Sequence, residues 1–204
     1  MPDQQQYFAS QPESASQARA FELPWQGRTY RFWTDSGVFS RGELDMGTRV
    51  LLGALPGQIT GRVLDLGCGW GPVGVLLSAQ HPQAEVVLAD VNERAVALAN
   101  RNARENGVSA RAVVSDGLAQ LTGQFDLIAL NPPIRAGKEV VYSLFAQAAK
   151  ALTPDGALYV VIRKQQGAPS AKAYINTLFH DVRTIARKGG YHVFQCSGGK
   201  TDAV

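Results

Sequence analysis

Four short segments carry residue types and spacings that can do chemistry, and each follows an apolar run. In the first, Asp65-Leu66-Gly67-Cys68-Gly69-Trp70-Gly71-Pro72, three glycines stand at alternate positions. They let the backbone turn tightly and approach a ligand closely. Pro72 suits the first turn of a following helix, whose amides would point at the same spot. The pattern is not the dinucleotide fingerprint, which needs a glycine where this chain has Pro72. In the second, Asp90 stands 21 residues beyond Gly69. An acid at about that distance can accept hydrogen bonds from ribose hydroxyls; taken alone it would cap the helix after Asn92. In the third, Ser115-Asp116-Gly117, a carboxylate could accept from an exocyclic amine such as that of adenine, or simply mark an Asp-Gly turn. In the fourth, Asn131-Pro132-Pro133-Ile134, two prolines stiffen the backbone. The Pro132 carbonyl is expected to be free, and the Asn131 amide oxygen is a second acceptor beside it. Two acceptors converging on one point suit a substrate NH2 group.

These segments need a frame that brings them together. From residue 61 the chain alternates strands and helices. Expected strands cover 62–67, 85–91, 111–116, 125–131 and 157–162, with helices over 72–81, 92–106, 139–152 and 170–179. Asn92 is the expected N-cap of the second helix and Gly107 its stop. Helix 139–152 should bury Val140, Val141, Leu144, Phe145, Ala148, Ala149 and Leu152. A turn at 153–156 should precede the fifth strand, and the runs 182–187 and 191–196 should close the sheet as an antiparallel pair. This is the pattern of an α/β fold, a doubly wound, seven-stranded, mostly parallel sheet with an antiparallel edge hairpin. Ahead of it, 18–23 and 28–33 alternate around a turn at 24–27, and a helix is expected over 44–55. Ligands of such sheets sit at the carboxyl ends of the strands, where all four segments fall.

The chain of 204 residues fits one domain. Residues 1–17 are expected to be a flexible tail and 18–204 one domain, with 18–57 as hairpin and helix and 58–204 as the core. Hydrophobic residues at 45% against 18% charged give a globular rather than a disordered balance. No apolar run nears the ~18 residues of a membrane span. The start has no basic, apolar leader, and two distant cysteines suit a reducing cytoplasm, so no membrane association is expected. Three histidines and two scattered cysteines argue against a zinc cluster, and no metal is expected. The net charge of +3 conceals an asymmetry. Residues 1–130 hold ten Lys and Arg against thirteen Asp and Glu, while 131–204 hold ten against four. The change of sign falls at Asn131, and a basic final third suits a polyanionic partner.

Together the four segments resemble the class I S-adenosylmethionine-dependent methyltransferases over residues 61–196. From Phe32 onward the chain looks like the small methyltransferase domain family, which includes 16S ribosomal RNA guanine-N2 methyltransferases. That narrower likeness rests on FWTDSGVFSRGELDMGTRVLL, LDLGCGWGPVG, ADVNERAVALANRNARENG, NPPIRAGK and RKGGYHVFQ. The Asn-Pro-Pro-Ile-Arg-Ala-Gly-Lys and RKQQGAPSA stretches resemble its single-domain bacterial branch. The resemblance implies S-adenosyl-L-methionine as cofactor. Asp65, Gly67, Cys68 and Gly69 would cradle its methionine part. Asp90, with Val91 and Asn92, would hold its ribose, and Asp116 with Gly117 its adenine. Phe39 and the segment Asp45–Thr48 would close over the pocket, making the helix of 18–57 a lid. Asn131, Pro132, Pro133 and Ile134 would grip the acceptor base. Relatives commonly carry an aromatic residue at the position of Ile134, and an aliphatic side chain stacks less well on a base.

Such an enzyme needs no covalent intermediate. Hydrogen bonds from the acceptor NH2 to Asn131 and the Pro132 carbonyl would localise its lone pair and aim it. Cys68 reads as a small packing residue rather than a nucleophile. RNA, as ribosomal RNA or the small ribosomal subunit, is the expected partner. Arg135, Lys138, Arg163 and Lys164 would meet its phosphates, with Arg187 and Lys188 behind them. Two other readings stay open. One keeps methyl transfer but changes the acceptor to adenine, a protein glutamine or a small molecule. The other is a cofactor-binding RNA module without catalysis.

Overall fold

The computed structural model describes residues 15–38, 40 and 42–200. The chain opens with a ribbon of β1 (Arg19–Trp25) and β2 (Arg28–Thr34), in antiparallel register from Arg19 opposite Thr34 to Trp25 opposite Arg28. The expected four-residue turn shrinks to two residues, Gln26 and Gly27, both with positive φ (46° and 79°). Such turns match the twist of paired strands. Pro24 therefore lies inside β1. Both strands of a two-stranded sheet are edges, the setting in which a strand tolerates proline. The last residues of the segment read as a tail touch this ribbon's exit: the Ser16 hydroxyl donates to Asp35 Oδ2 at 2.6 Å. Residues 1–14, and Phe39, lie outside the described residues.

Helix α1 (Met46–Leu52) is shorter than the expected 44–55. Asp45 is extended and caps it, its side chain accepting from the Thr48 N–H at 3.2 Å, and Gly53 ends it. Then come β3 (Arg62–Leu66), α2 (Pro72–Gln80), β4 (Glu85–Asp90), α3 (Glu93–Glu105), β5 (Arg111–Val114), β6 (Phe125–Leu130), α4 (Lys138–Ala151), β7 (Leu152–Arg163), α5 (Ala168–Leu178), β8 (Phe179–Lys188) and β9 (Tyr191–Gly199). The seven-stranded sheet has the order β5-β4-β3-β6-β7-β9-β8. Pairs among β3 to β7 are parallel, and β9 runs antiparallel to both β7 and β8. The closing pair is thus an edge hairpin whose reversed strand lies one place in from the edge.

Alternate residues of the central strands enter two cores. Val63, Leu127, Ala129, Tyr159 and Val161 face the side of α1, α2, α3 and the ribbon. Leu64, Leu66, Ile128, Leu130 and Val160 face the side of α4 and α5. Coverage of both faces explains why these strands are largely apolar. Helix α3 starts and stops as expected. The Asn92 side chain accepts from the Arg94 and Ala95 N–H groups, and at the far end Val108 N–H donates to Ala103 O and Gly107 N–H to Arg104 O. Gly107 there has φ 66°, the left-handed residue such an ending requires.

Two further expectations are corrected. Val140 is 45% exposed, because a residue next to buried Val141 points about 100° away round the helix. The turn expected at 153–156 lies inside β7. Leu152 pairs with Phe125 and Ala157 with Leu127, so the four residues between them form an irregularity opposite the single Asp126. Among the described residues no helix is long and apolar enough to cross a membrane.

Candidate active site

The chain winds outward from β3 through β4 to β5, then returns to place β6 on the other side of β3. A crevice opens at the carboxyl ends of strands where the order reverses. Registers bring the predicted segments to one level there. Leu66 pairs with both Ala89 and Leu130, and Asp90 pairs with Val114. Gly67, Asp90 and Asn131 therefore stand level in one row, with Ser115 one residue further on.

The glycines of the first loop divide by role. Gly67, Gly69 and Gly71 have φ of 68°, 56° and 84°, so each holds a left-handed turn. A Cβ on Gly67 or Gly69 would meet nothing within 4 Å, whereas one on Gly71 would lie 2.9 Å from the Ala99 methyl. Gly74, in α2, would put a Cβ 2.4 Å from Leu88. Gly67 and Gly69 thus border open space at the crevice, while Gly71 and Gly74 let α2 and α3 close on the sheet. The loop is fixed from below: the Gly67 and Cys68 N–H groups both donate to Ala89 O, at 2.8 and 2.9 Å.

Three acidic residues follow. Asp65 is buried in β3, and one of its carboxylate oxygens accepts from the Gly74 N–H at 2.9 Å. Burial pushes its carboxyl up to about 7, and the nearby Asp90 charge adds to the effect, against the Gly74 N–H. Asp90 is half-buried. Its Oδ2 accepts from Gly69 N–H at 2.8 Å and its Oδ1 from Asn92 N–H at 2.9 Å. Burial raises its carboxyl, opposed by the N–H groups of Asn92, Gly69 and Val91. Each oxygen keeps a lone pair. Asn92 also donates from Nδ2 to Gly37 O at 2.9 Å, in the segment between β2 and α1. Asp116 is exposed beyond β5, in a turn where the Ser115 hydroxyl donates to Gly117 O at 2.9 Å. Cys68 is a free, buried cysteine. Burial, with the Asp90 and Asp65 charges, holds its thiol well above its ordinary range, so it stays protonated and packs.

The fourth segment departs from expectation at one atom. Pro133, at φ −75° and ψ 74°, forms an inverse γ-turn in which Ile134 N–H donates to the Pro132 carbonyl at 2.8 Å. That carbonyl is therefore not free, although its second lone pair is. Asn131 is half-buried, and its Nδ2 donates to Thr48 Oγ1 at 3.0 Å and Asp45 Oδ1 at 3.4 Å. Ile134 is half-buried and packs toward the core containing Tyr142 and Tyr174, rather than standing clear as a platform.

The basic residues gather at the same end of the sheet. Arg135 and Lys138 are exposed just after the Asn-Pro-Pro loop, with the Lys138 ammonium 5.0 Å from the Tyr142 ring. β7 runs three residues past Val160, the partner of Leu130, so Arg163 projects two residues, about 7 Å, beyond Asn131's level. Its guanidinium lies 5.9 Å from the Tyr191 ring, and Lys164 N–H binds Gly190 O, at the β8–β9 turn. That turn carries exposed Arg187 and Lys188. The ion pairs among the described residues are Arg31–Glu105, Arg62–Glu85 and Arg183–Asp181, and none of these six cations takes part. A separate cleft of about 420 Å³, lined by Arg62, Glu85, Arg111 and Leu121, lies at the amino ends of β3 to β5, the wrong end for this chemistry. Among the described residues no group of three or more His, Cys, Asp or Glu is placed to hold a metal ion.

Three residues within the quoted segments make contacts that the sequence does not specify. Buried Asn102 accepts from Trp33 N–H at 2.7 Å and donates to Trp33 O and Trp70 O. It ties the ribbon to the glycine loop. Trp70 packs edge-on against Phe32 at 4.9 Å, and its indole N–H donates to Ser40 O. Thr48 meets Asn131. Asn102 left a signal as a polar residue in the apolar stripe of Ala95, Ala99 and Ala103, and Thr48 ends the segment Asp45–Thr48 that the resemblance places over the pocket.

A doubly wound sheet with this glycine loop, an acid at the end of the neighbouring strand and an Asn-Pro-Pro loop defines a Rossmann-like methyltransferase. The chain belongs to the family described as "Methyltransferase small domain", whose model matches residues 29–195. It is 37% identical over 193 residues to "Uncharacterized protein YbxB" of Bacillus subtilis (strain 168), covering 93% of this chain and 96% of that protein. It is 38% identical over 190 residues to "Ribosomal RNA small subunit methyltransferase C" of Mannheimia succiniciproducens, covering 87% of this chain and 56% of that one. Among solved structures, a T. thermophilus 16S rRNA N2 methyltransferase in complex with AdoMet and guanosine is 30% identical, with TM-score 0.79. That match covers 92% of this chain and 52% of the other. The chain thus spans about half the length of the relatives named for ribosomal RNA methylation, and nearly all of the Bacillus protein.

Proposed function

We propose that this chain is an S-adenosylmethionine-dependent RNA methyltransferase acting on the exocyclic N2 amine of a guanine in 16S ribosomal RNA. The observation that carries the reading is Asn131, held by α1 at the crevice beside the glycine loop. Family membership supports methyl transfer, and the guanosine bound to the T. thermophilus neighbour supports the acceptor.

The cradle fits the cofactor. Gly67 and Gly69 border space that a side chain would fill, and Asp90 keeps lone pairs for ribose hydroxyls. We assign Asp65, Gly67, Cys68 and Gly69 to the methionine end, Asp90, Val91 and Asn92 to the ribose, and Asp116 and Gly117 to the adenine. When bound, S-adenosylmethionine supplies an electrophilic methyl on sulfur. The remaining work is positional. Asn131 Oδ1 and the spare lone pair of the Pro132 carbonyl accept from the acceptor NH2, fix its plane, and hold its lone pair in line. No side chain forms a covalent bond. Arg135, Lys138, Arg163 and Lys164 are assigned to RNA phosphates. A guanine within folded RNA must be splayed or flipped to reach this row.

A second acceptor is favoured by one observation. Ile134 is aliphatic and leans on the core, so it offers no aromatic face to a base, and another amine could be the substrate. One experiment separates these readings. Protein with methyl-labelled cofactor is offered naked 16S RNA, assembled small subunits, DNA and protein. Label in guanine N2 of the RNA or subunit, lost in Asn131→Ala, supports the proposal; label elsewhere moves the acceptor. Binding of cofactor with no transfer to any of them would favour a non-catalytic module.

A further inference from the structure

We propose that Thr48 and Asp45 are positioning residues that fix which way the Asn131 amide points. An asparagine side chain can rotate by half a turn and exchange its oxygen and nitrogen with almost no change of shape, so its chemistry is set by its neighbours. Two atoms of α1's first turn lie on one side of the Asn131 amide. Thr48 Oγ1 is 3.0 Å from Nδ2, and Asp45 Oδ1 is 3.4 Å from it. A hydroxyl would tolerate either orientation, since it can donate or accept. A carboxylate only accepts, so Asp45 rejects the orientation that would face it with the amide oxygen. The pair thereby turns Oδ1 away from α1, and among the described residues no donor reaches Oδ1. That is the state an acceptor for a substrate NH2 needs before the substrate arrives.

The arrangement is anchored, not incidental. Thr48 is 4% exposed, so its rotamer is held by packing. Asp45 is fixed by its own cap bond from Thr48 N–H. Behind them α1 rests on the β8–β9 hairpin. A Cβ on Gly47 would lie 3.0 Å from the Tyr191 ring and 3.0 Å from Asp45 Oδ1, so the helix leaves no room for the cap to retreat.

This inference rests on the methyltransferase reading, and its test has a readout independent of the acceptor. The variants are Thr48→Val, which keeps the shape and loses the hydroxyl, and Thr48→Ser, which keeps the hydroxyl. The Asn131 side-chain NH2 resonances, assigned by their loss in Asn131→Asp, should shift and exchange faster in Thr48→Val and stay near wild type in Thr48→Ser. Where 16S RNA is methylated, Thr48→Val should lower kcat by about 10- to 100-fold, with KM and cofactor Kd within about twofold. Thr48→Ser should recover most of the rate. Unmoved resonances in Thr48→Val, or a Thr48→Ser variant as impaired as Thr48→Val, would overturn the proposal. If wild type transfers no methyl to RNA, the acceptor proposed above is wrong, and the resonances still decide this one.

Discussion

The Gly69 N–H donates to Asp90 Oδ2 at 2.8 Å, so the acid assigned to the ribose also pins the glycine loop. Its other oxygen holds Asn92, the cap of α3. One carboxylate therefore joins the ends of β3 and β4 to a helix start. Asp90→Ala is expected to lose both bonds, each worth about 1.5–3 kcal/mol when the acceptor is charged. Calorimetric titration should show cofactor binding abolished, and thermal melting should show a loss of stability as well. Asp90→Asn keeps an acceptor for one N–H, so it should melt closer to wild type while still binding weakly. A variant that bound normally would remove Asp90 from the cofactor site.

Alanine at the four glycines should separate ligand space from packing space. Gly74→Ala would drive a methyl into Leu88, and overpacking of this kind destabilises by about 1–3 kcal/mol. Gly71→Ala meets Ala99 in addition to its positive φ. Gly67→Ala meets no atom, so its stability loss should be confined to about 1–2 kcal/mol of left-handed strain. Cofactor Kd should nevertheless rise most in Gly67→Ala and Gly69→Ala. Equal loss of binding in Gly74→Ala, measured well below its melting temperature, would contradict the division.

The buried carboxyl of Asp65 predicts a pH dependence of folding. Its folded value of about 7 lies above the ordinary 3.8, so the folded state holds more protons between those limits. Its contribution is full below the unfolded value and is lost as pH rises through the folded one. Asp90 is shifted in the same direction. Urea midpoints should therefore fall from about pH 5 to about pH 8. Asp65→Asn removes that titration and still accepts from Gly74 N–H, so its midpoints should change less with pH. A steeper dependence in Asp65→Asn would refute the assignment.

Much of this was legible in the sequence, for identifiable reasons. Local rules placed Asn92, Gly107 and Pro72 at helix ends, because capping depends on residues within one turn. Strand–helix alternation placed Gly67, Asp90, Asp116 and Asn131 at or just past strand ends, and the parallel register then set Gly67, Asp90 and Asn131 level. Contacts between distant segments left little trace. Thr48 and Asn131 are 83 positions apart, and Trp33 and Asn102 are 69. The Pro132 carbonyl was misread for a local reason. Proline removes donors at its own position, but the γ-turn at Pro133 brought the Ile134 N–H back onto that oxygen.

The basic end of the sheet yields the remaining prediction, about RNA. Arg163, Lys164, Arg187 and Lys188 converge where β7 overshoots β6 and meets the β8–β9 turn, and none is paired with a described acid. Cations that bind phosphates release counterions, which lowers log K linearly with log salt by about 0.7 per contact on single strands. Replacing Arg163 or Lys164 by alanine should thus reduce the magnitude of the salt slope for RNA by about that amount. Cofactor Kd should stay at the wild-type value, because these residues stand beyond the row assigned to it. Lys150, on the far part of α4, is the control: its alanine variant should leave the slope unchanged. A slope unaltered by Arg163→Ala and Lys164→Ala together would detach this face from RNA, and would leave the change of charge sign at Asn131 as a solvated rim.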